Sequence, residues 1–190
     1  MKSASAILAA CALIAGCAAE PKLRTAEIQY YSEQAPVAAG KALAHAGIDD
    51  SAEETCIRVV DQRRRTVAQG WSLPKEQIRD WLSEGIESRL GVSVRYSDQP
   101  PDTGPYVALE TLYIKHISTS MAGVTVLRVY GTESSRAVRG NKTRMNWNGT
   151  SREFSRLLSQ SLDAAIAALP LRAVIRENCS AGEDTIDRVG

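Results

Sequence analysis

Residues 106–119 have the sequence YVALETLYIKHIST, and residues 120–132 continue as SMAGVTVLRVYGT. Drawn as an extended chain, the first stretch has apolar side chains on both faces: Val107, Leu109, Tyr113 and Ile117 on one, Leu112 and Ile114 on the other. This pattern indicates a central strand of a sheet. SMAG at 120–123 predicts a turn, and the alternating residues after it predict a returning strand, so the two stretches together predict a β-hairpin.

Two amphipathic helices are predicted, one on each side of this hairpin along the chain. The earlier lies in SLPKEQIRDWLSEGIESRLG at 72–91 and ends at Gly91, a common C-terminal cap. The later lies in TSREFSRLLSQSLDAAIAALP at 150–170, where Thr150 and Glu153 form a capping box. Both carry an apolar stripe at helical spacing: Ile78, Leu82, Ile86 and Leu90 in the first, and Phe154, Leu157, Leu158, Leu162, Ile166 and Leu169 in the second.

Shorter apolar runs predict the remaining strands, in TCIRVVDQR (55–63), RTVAQGW (65–71), VSVRYS (92–97) and SRAVRGNKTRMNWNG (135–149). The order strand, strand, helix, four strands, helix is typical of a two-layer α+β domain. We therefore expect one domain over 55–179, a mainly antiparallel sheet with both amphipathic helices on one face, and a flexible tail over 180–190. The opposite face of the sheet must then meet water or a partner.

The first sixteen residues have the layout of a secretory signal. Lys2 supplies the positive start, and the apolar run that follows is shorter than the roughly 20 residues of a membrane-spanning helix. LIAGC at 13–17 resembles the lipobox of bacterial lipoproteins. The resemblance implies a signal peptide at 1–16 and a lipid on Cys17; the alternative is a cysteine that happens to end the signal core. Ala18 stands where an aspartate often retains such proteins in the inner membrane, which implies an outer-membrane protein that faces the periplasm.

Residues 17–54 are predicted to be a lipidated N-terminus and a tether. AAEPKLRTAEIQYYSEQ at 18–34 is polar and has no sustained period, and such a linker lets a domain stand off a membrane. The alternative is that Tyr30 and Tyr31 dock on the domain or on a partner.

Charge and cysteine content narrow the function classes. Loss of residues 1–16 removes Lys2 and no acid, so the 23 basic and 22 acidic side chains of the chain become equal in number. A neutral, exported protein is not expected to bind nucleic acid. Cys56 and Cys179 then remain as an even pair in an oxidising compartment, which predicts a disulfide between them, with two free thiols as the alternative.

The sequence shows no catalytic, cofactor or metal motif. Its two histidines, His45 and His116, are too few for a zinc site, and neither is well placed for catalysis. We therefore expect a protein without enzymatic activity, resident cofactor or bound metal.

Two features are candidates for a partner surface. Arg63, Arg64 and Arg65 follow Asp61 and predict either a site for an anionic lipid or glycan group or a solvated hairpin tip. Trp147 predicts either a partner anchor on an edge strand or a side chain half-buried beside the last helix.

Three segments resemble the YajG-type family of bacterial lipoproteins and, more distantly, the auxiliary lipoproteins of ABC-type transport systems. They are VVDQRRRTVAQGW, IRDWLSEGIESRLG and RGNKTRMNWNGTSREFSRLLSQSLDAAIAAL, within roughly residues 55–170. The resemblance implies a small periplasm-facing domain with no established catalytic residues. We expect a non-catalytic accessory module of a cell-envelope complex, held to the membrane by its lipid and bound to an envelope protein. The alternatives are a periplasmic lipid or glycan carrier and, more weakly, a cell-wall hydrolase.

Overall fold

The computed structural model describes residues 24–32, 55–65, 67–68, 70–132, 134–145 and 149–175. The elements in this part of the chain are, in order, β1 (Arg24–Thr25), β2 (Cys56–Asp61), β3 (Val67–Ala68), β4 (Trp71–Ser72), α1 (Lys75–Leu90), β5 (Ser93–Ser97), β6 (Tyr106–Ile117), β7 (Ser120–Tyr130), β8 (Ser135–Met145), α2 (Ser151–Ile166) and a 3-10 helix (Leu171–Ala173). The predicted α+β fold, with two helices against a dominant sheet, is confirmed.

Five strands form one mixed sheet in the order β5-β2-β6-β7-β8. The predicted hairpin is its centre, since β6 and β7 pair antiparallel and β8 continues that pattern. β2 is parallel to both of its neighbours, β5 and β6, so one side of the sheet is parallel where the sequence predicted a mainly antiparallel arrangement. The hairpin turns at Ser118 and Thr119, just before the SMAG segment, and Ser118 has the left-handed φ of 52°.

A β-bulge changes which side chains of β6 face the helices. The register with β7 shifts between Leu109 and Thr111, which leaves Glu110 as the extra residue. Beyond the bulge the alternation is reversed, so Leu112 is only 3% exposed whereas Ile117 is 46% exposed. The division of faces predicted from strict alternation is therefore wrong for the second half of this strand.

Both helices pack on one face of the sheet, and the contact leaves no room for further atoms. A Cβ atom added to Gly123 of β7 would lie 2.8 Å from the carbonyl oxygen of Leu157 in α2. One added to Gly140 of β8 would collide with the carbonyl oxygen of Ser161. The apolar stripes predicted for the helices are buried in the resulting core: Ile78, Leu82, Ile86 and Leu90 of α1, and Phe154, Leu157, Leu158, Leu162 and Ile166 of α2.

The predicted helix ends are present. The backbone N–H of Glu153 donates to Thr150 Oγ1 at 3.3 Å, which caps the start of α2. Gly91 ends α1 with a left-handed φ of 66°, and its N–H donates to the carbonyl oxygen of Glu87 at 2.7 Å.

A second, small sheet has the order β1-β4-β3. β3 and β4 pair antiparallel with each other, and β1 lies parallel to β4, with Arg24 opposite Trp71. The predicted strand over 65–71 is thus two short strands that belong to a different sheet from β2. The expectation of a hairpin between β2 and this segment, with the arginine cluster at its tip, is wrong because β2 pairs with β5 and β6 instead.

Residues 24–32 pack as part of the domain. Ala26, Ile28 and Tyr30 alternate with exposed residues and are at most 8% exposed. The expectation of a tether is therefore wrong for this stretch, and the alternative in which Tyr30 docks on the domain is the correct one. Residues 17–23 and 33–54 of the predicted tether and residues 180–190 of the predicted tail lie outside the described part of the chain.

Candidate functional site

Three residues singled out in the sequence, Cys17, Trp147 and Cys179, lie outside the described residues. Cys56, at the start of β2, is disulfide-bonded, and it is the one cysteine in the part of the chain that the structure describes. Its pairing with Cys179 stays a prediction, as does the lipidation of Cys17.

The structure places Arg63 in the interior. Its Nε and Nη2 donate to the two carboxylate oxygens of Asp61, at 2.8 Å and 2.7 Å. The two side chains are only 1% and 2% exposed, so this is a buried bidentate ion pair. The expectation that Arg63 belongs to a partner surface or to a solvated tip is wrong, because its guanidinium group is sealed from solvent.

Arg64 and Arg65 differ from Arg63 in being exposed. They lie in the loop between β2 and the small sheet. The partner surface predicted from the arginine cluster is therefore reduced to these two side chains within the described residues.

The neighbourhood of the ion pair contains two buried polar atoms without a hydrogen-bond partner among the described residues, Arg63 Nη1 and Tyr96 Oη. Burial, with the carboxylates of Asp61 and Asp98 nearby, raises the pKa of Tyr96 to about 12. The buried Asp61–Arg63 pair fixes the position of the chain after β2, and among the described residues the hydroxyl of the partly buried Tyr96 is closed to solvent beside it.

We call the side of the main sheet opposite the helices the outer face. Over β6, β7 and β8 beyond the bulge, the strand register places four cross-strand rows on it: Thr111, Val126 and Arg139; Tyr113, Val124 and Asn141; Lys115, Ala122 and Thr143; and Ile117, Ser120 and Met145. Both helices and the segment 24–32 pack on the other side, so none of these elements covers the outer face.

The outer face combines aromatic and aliphatic surface with an excess of basic side chains. Lys115 and Arg139 are exposed on it, and Arg128 donates from Nε to Glu110 at 2.6 Å. At one end, the rings of Tyr106 and Tyr130 stack with their centroids 4.6 Å apart. Such a mixture of aromatic and basic groups is typical of protein-binding surfaces.

The part of the outer face over β2 differs, because the loop over residues 98–105 contacts it. Arg58 of β2 donates from Nη1 to the carbonyl oxygen of Thr103 at 3.2 Å. Val60 and Ala108 point to this side and are nevertheless buried. The exposed part of the outer face is thus confined to the antiparallel half of the sheet, and there it lies around Ala122 and Val124, which are themselves only 2% exposed.

β8 forms one border of that open surface. It is paired with β7 over eleven residues and with no other described strand. Its sequence SRAVRGNKTRM holds four basic side chains and no acidic one. Charged side chains, lysine above all, are common on edge strands, where they oppose pairing with a second copy of the same strand.

A ladder of polar side chains on α2 holds the segment 24–32. Ser155 Oγ donates to the carbonyl oxygen of Glu27 at 2.9 Å, and Ser159 Oγ accepts from the N–H of Tyr31 at 3.1 Å. Tyr30 Oη donates to Asp163. Burial and this carboxylate raise the pKa of Tyr30. The spacing of 155, 159 and 163 puts these groups on one side of the helix, a periodicity visible in the sequence as SRLLSQSLD.

Within the described residues, no group of three or more histidine, cysteine, aspartate or glutamate side chains is arranged to hold a metal ion. His116 is exposed near the end of β6. No helix in the described part of the chain has the length and hydropathy needed to cross a membrane.

Comparison with known proteins adds little to this geometry. No protein-family model matches the chain, and no curated protein matches it. A crystal structure described only as that of an uncharacterized protein is similar to it, with 13% identity and a TM-score of 0.38, over 59% of this chain and 84% of the other. A likeness at this level carries no argument about function, so the functional conclusion rests on the residues described above.

Proposed function

We propose that this chain is a lipid-anchored, periplasm-facing accessory protein without catalytic activity, which binds another envelope protein through the outer face of its sheet. The observation that carries the proposal is the one-sided architecture. Both helices and the segment 24–32 lie on one face of the main sheet, whereas the antiparallel half of the other face presents exposed side chains of β6 and β8 around the buried Ala122 and Val124.

The chemistry of the outer face favours a partner with an acidic and partly apolar surface. Arg139 is an exposed basic group, whereas Glu110, an acidic side chain of the same face, already accepts from Arg128. Tyr113 and Val126 add partly exposed apolar surface to the same face. Charge complementarity of this kind contributes to the rate and selectivity of association more than to affinity.

The packing under the sheet supports an interaction module over a lipid or glycan carrier. A carrier needs a cavity between helices and sheet, but at Gly123 and Gly140 even a methyl group would collide with the backbone of α2. The core side chains between the layers are almost completely buried. Anchoring through Cys17 and exposure to the periplasm enter the proposal from the LIAGC segment.

The proposal is tested by co-purification from cells that express the wild-type chain or a variant. The outer-face variant is Arg139→Glu with Thr143→Glu, since both side chains are exposed on β8. The matched control is Arg79→Glu, an exposed charge reversal on the solvent side of α1. All three proteins keep their lipid anchor and should melt at similar temperatures.

We expect a discrete envelope protein to co-purify with the wild type and with Arg79→Glu and to be lost with the outer-face variant. Equal recovery of the same protein with all three chains would contradict the proposed surface. Extractable lipid or glycan, with no protein bound in an outer-face-dependent manner, would support the carrier alternative instead.

A further inference from the structure

One end of the molecule gathers features that suit contact with a membrane, and the first of them is the start of the docked N-terminal segment. Arg24 lies opposite Trp71 in the small sheet, with its guanidinium carbon 5.9 Å from the centre of the indole ring. That ring is 5.6 Å from the ring of Phe154, in the first turn of α2. Residue 24 is therefore held at the N-terminal end of α2.

The turn between β6 and β7 lies at the same end. Gly123 of β7 packs on Leu157, and Thr125 shares a 2.6 Å hydrogen bond with Ser161, so position along β7 increases with position along α2. The beginning of β7, at Ser120, is therefore at the N-terminal end of the helix. We call this the basal end of the molecule.

The exposed large apolar side chains of the described residues are both at the basal end. They are Ile117, 46% exposed, and Met145, 68% exposed. The strand register places them in one row, on either side of Ser120. Exposed apolar side chains that cluster at one place on a soluble domain mark an interaction site more often than scattered ones do.

Basic side chains lie at the same end of the molecule as this apolar pair. Arg24, Lys115 and Arg152 are exposed at the basal end, and Arg144, next to Met145, is partly exposed. The acidic side chain at the start of α2, Glu153, is partly buried. An apolar tip within a set of basic groups matches a bilayer surface, where anionic headgroups lie over the acyl chains.

The position of Arg24 connects this end to the predicted anchor. From Cys17 to Arg24 the chain spans at most about 25 Å, since an extended chain advances about 3.5 Å per residue. If Cys17 carries the lipid, the basal end cannot lie far from the bilayer.

We infer that the basal end rests on the membrane surface, with Ile117 and Met145 at the headgroup boundary and Arg24, Lys115 and Arg152 against anionic phospholipid. The inference rests on the anchoring part of the proposed function but not on the identity of any protein partner. It gives the molecule one orientation, in which the β6–β7 turn points to the bilayer and the turn between β7 and β8 points away from it.

The inference is tested on the full chain with Cys17→Ala, which has no thiol for the lipid, so that only the protein surface is measured. The probes are vesicles of phosphatidylcholine alone and of phosphatidylcholine mixed with phosphatidylglycerol, and bound protein is measured by sedimentation. The basal variant adds Lys115→Gln and Arg152→Gln. The matched control adds Arg95→Gln and Arg136→Gln, exposed cations far from the basal end.

We expect the Cys17→Ala chain to bind the vesicles that contain phosphatidylglycerol, and we expect this binding to weaken as the salt concentration rises. Each basic side chain lost from the surface should lower the partition coefficient about five-fold, so the basal pair should lower it roughly 25-fold. The control pair should leave the partition coefficient within about two-fold of that of the Cys17→Ala chain, because Arg95 and Arg136 lie far from the basal end and would not be near the membrane surface.

A second variant, Ile117→Ser with Met145→Ser, should also lower binding without changing the melting temperature, since both side chains are exposed. Equal losses in the basal and control pairs, or no binding to the anionic vesicles, would overturn the inference. Either result would leave the outer-face proposal standing, because that proposal is decided by protein capture. If the wild-type chain captured no discrete protein while vesicle binding was as expected, the result would instead contradict the proposed function alone.

Discussion

The Asp61–Arg63 pair shows how much one sequence pattern can depend on its surroundings. A carboxylate two residues before a guanidinium group is common on exposed turns. Here β2 lies between β5 and β6, and the pair is carried into the interior with both side chains at most 2% exposed. The Asp-x-Arg spacing is visible in the sequence. The burial of the two side chains depends on the pairing of strands that are distant in the sequence, and no local pattern predicts that pairing.

Removal of one member of this pair should destabilise the protein strongly. Asp61→Ala leaves the Arg63 guanidinium group buried without its counter-charge, and such changes cost about 3–5 kcal/mol. Chemical denaturation measures the loss. The double variant Asp61→Leu with Arg63→Met removes both charges and should recover most of it. Asp61→Ala at wild-type stability would show that the pair is not buried as described.

Tyr96 should make the protein sensitive to alkaline pH. Its pKa is raised to about 12, above the ordinary value of about 10, so between these values the unfolded chain loses a proton that the folded chain keeps. The free energy of unfolding should therefore decrease as pH rises from about 10 to about 12, and the contribution of Tyr96 is fully present below about 10.

The matched variant for this test is Tyr96→Phe, which removes the titrating group. Its hydroxyl has no hydrogen-bond partner among the described residues, so the substitution should cost little at neutral pH. The pH dependence of its unfolding should be shallower than that of the wild type over the alkaline interval, although Tyr30, whose pKa is also raised, remains. Identical slopes in the two proteins would refute the account of Tyr96.

At the scale of secondary structure, the packing of α2 on β8 depends on a position without a side chain. Gly140→Ala would place a methyl group against the carbonyl oxygen of Ser161, and overpacking of this kind costs about 1–3 kcal/mol or more. Gly131→Ala is the matched control, because its nearest contact, the carbonyl oxygen of Ser134, lies at an ordinary 3.4 Å. Melting temperatures lowered by the same amount in Gly140→Ala and Gly131→Ala would contradict the described contact.

The docking of the N-terminal segment depends on Ser159. Its Oγ accepts from Trp81 Nε1 at 3.0 Å and from the N–H of Tyr31 at 3.1 Å, so it joins α1, α2 and the segment. Ser159→Ala leaves the buried indole N–H without a partner, at a cost of about 1–3 kcal/mol. Limited proteolysis should then cleave near residues 24–32 earlier than in the wild type. Unchanged cleavage and unchanged stability would show that the bonds contribute little.

The elements with strong local periodicity were predictable, and those held by distant partners were not. The two helices followed from their apolar stripes and caps, and the central hairpin followed from its alternating residues. The β-bulge at Glu110 has no glycine or proline to mark it. The segment 24–32 has only a short alternation of Ala26, Ile28 and Tyr30. Its backbone is satisfied by side chains of α2, namely Ser155 and Ser159, which lie more than 120 residues away in the sequence.

At the scale of the whole molecule, the surfaces divide into three. One face of the sheet is occupied by the helices. The antiparallel half of the other face exposes side chains such as Arg139 and Thr143 around a buried centre, and the basal end carries exposed Ile117 and Met145 with basic neighbours. From the sequence, one face of the sheet was expected to be open. The predicted partner surface consisted of Arg63, Arg64, Arg65 and Trp147. The surface proposed instead is formed by alternate residues of β6, β7 and β8. Such a surface can be identified only when the pairing register of the three strands is known.

The most direct test of the account is site-specific photocrosslinking of the anchored protein in its own envelope. A photoreactive residue at Arg139, on the outer face, is compared with one at Glu84, on the exposed side of α1. The account predicts that a discrete envelope protein is crosslinked from position 139 and not from position 84, and that Cys17→Ala weakens or abolishes this product. Crosslinking of the same protein from both positions, or from position 84 alone, would contradict it.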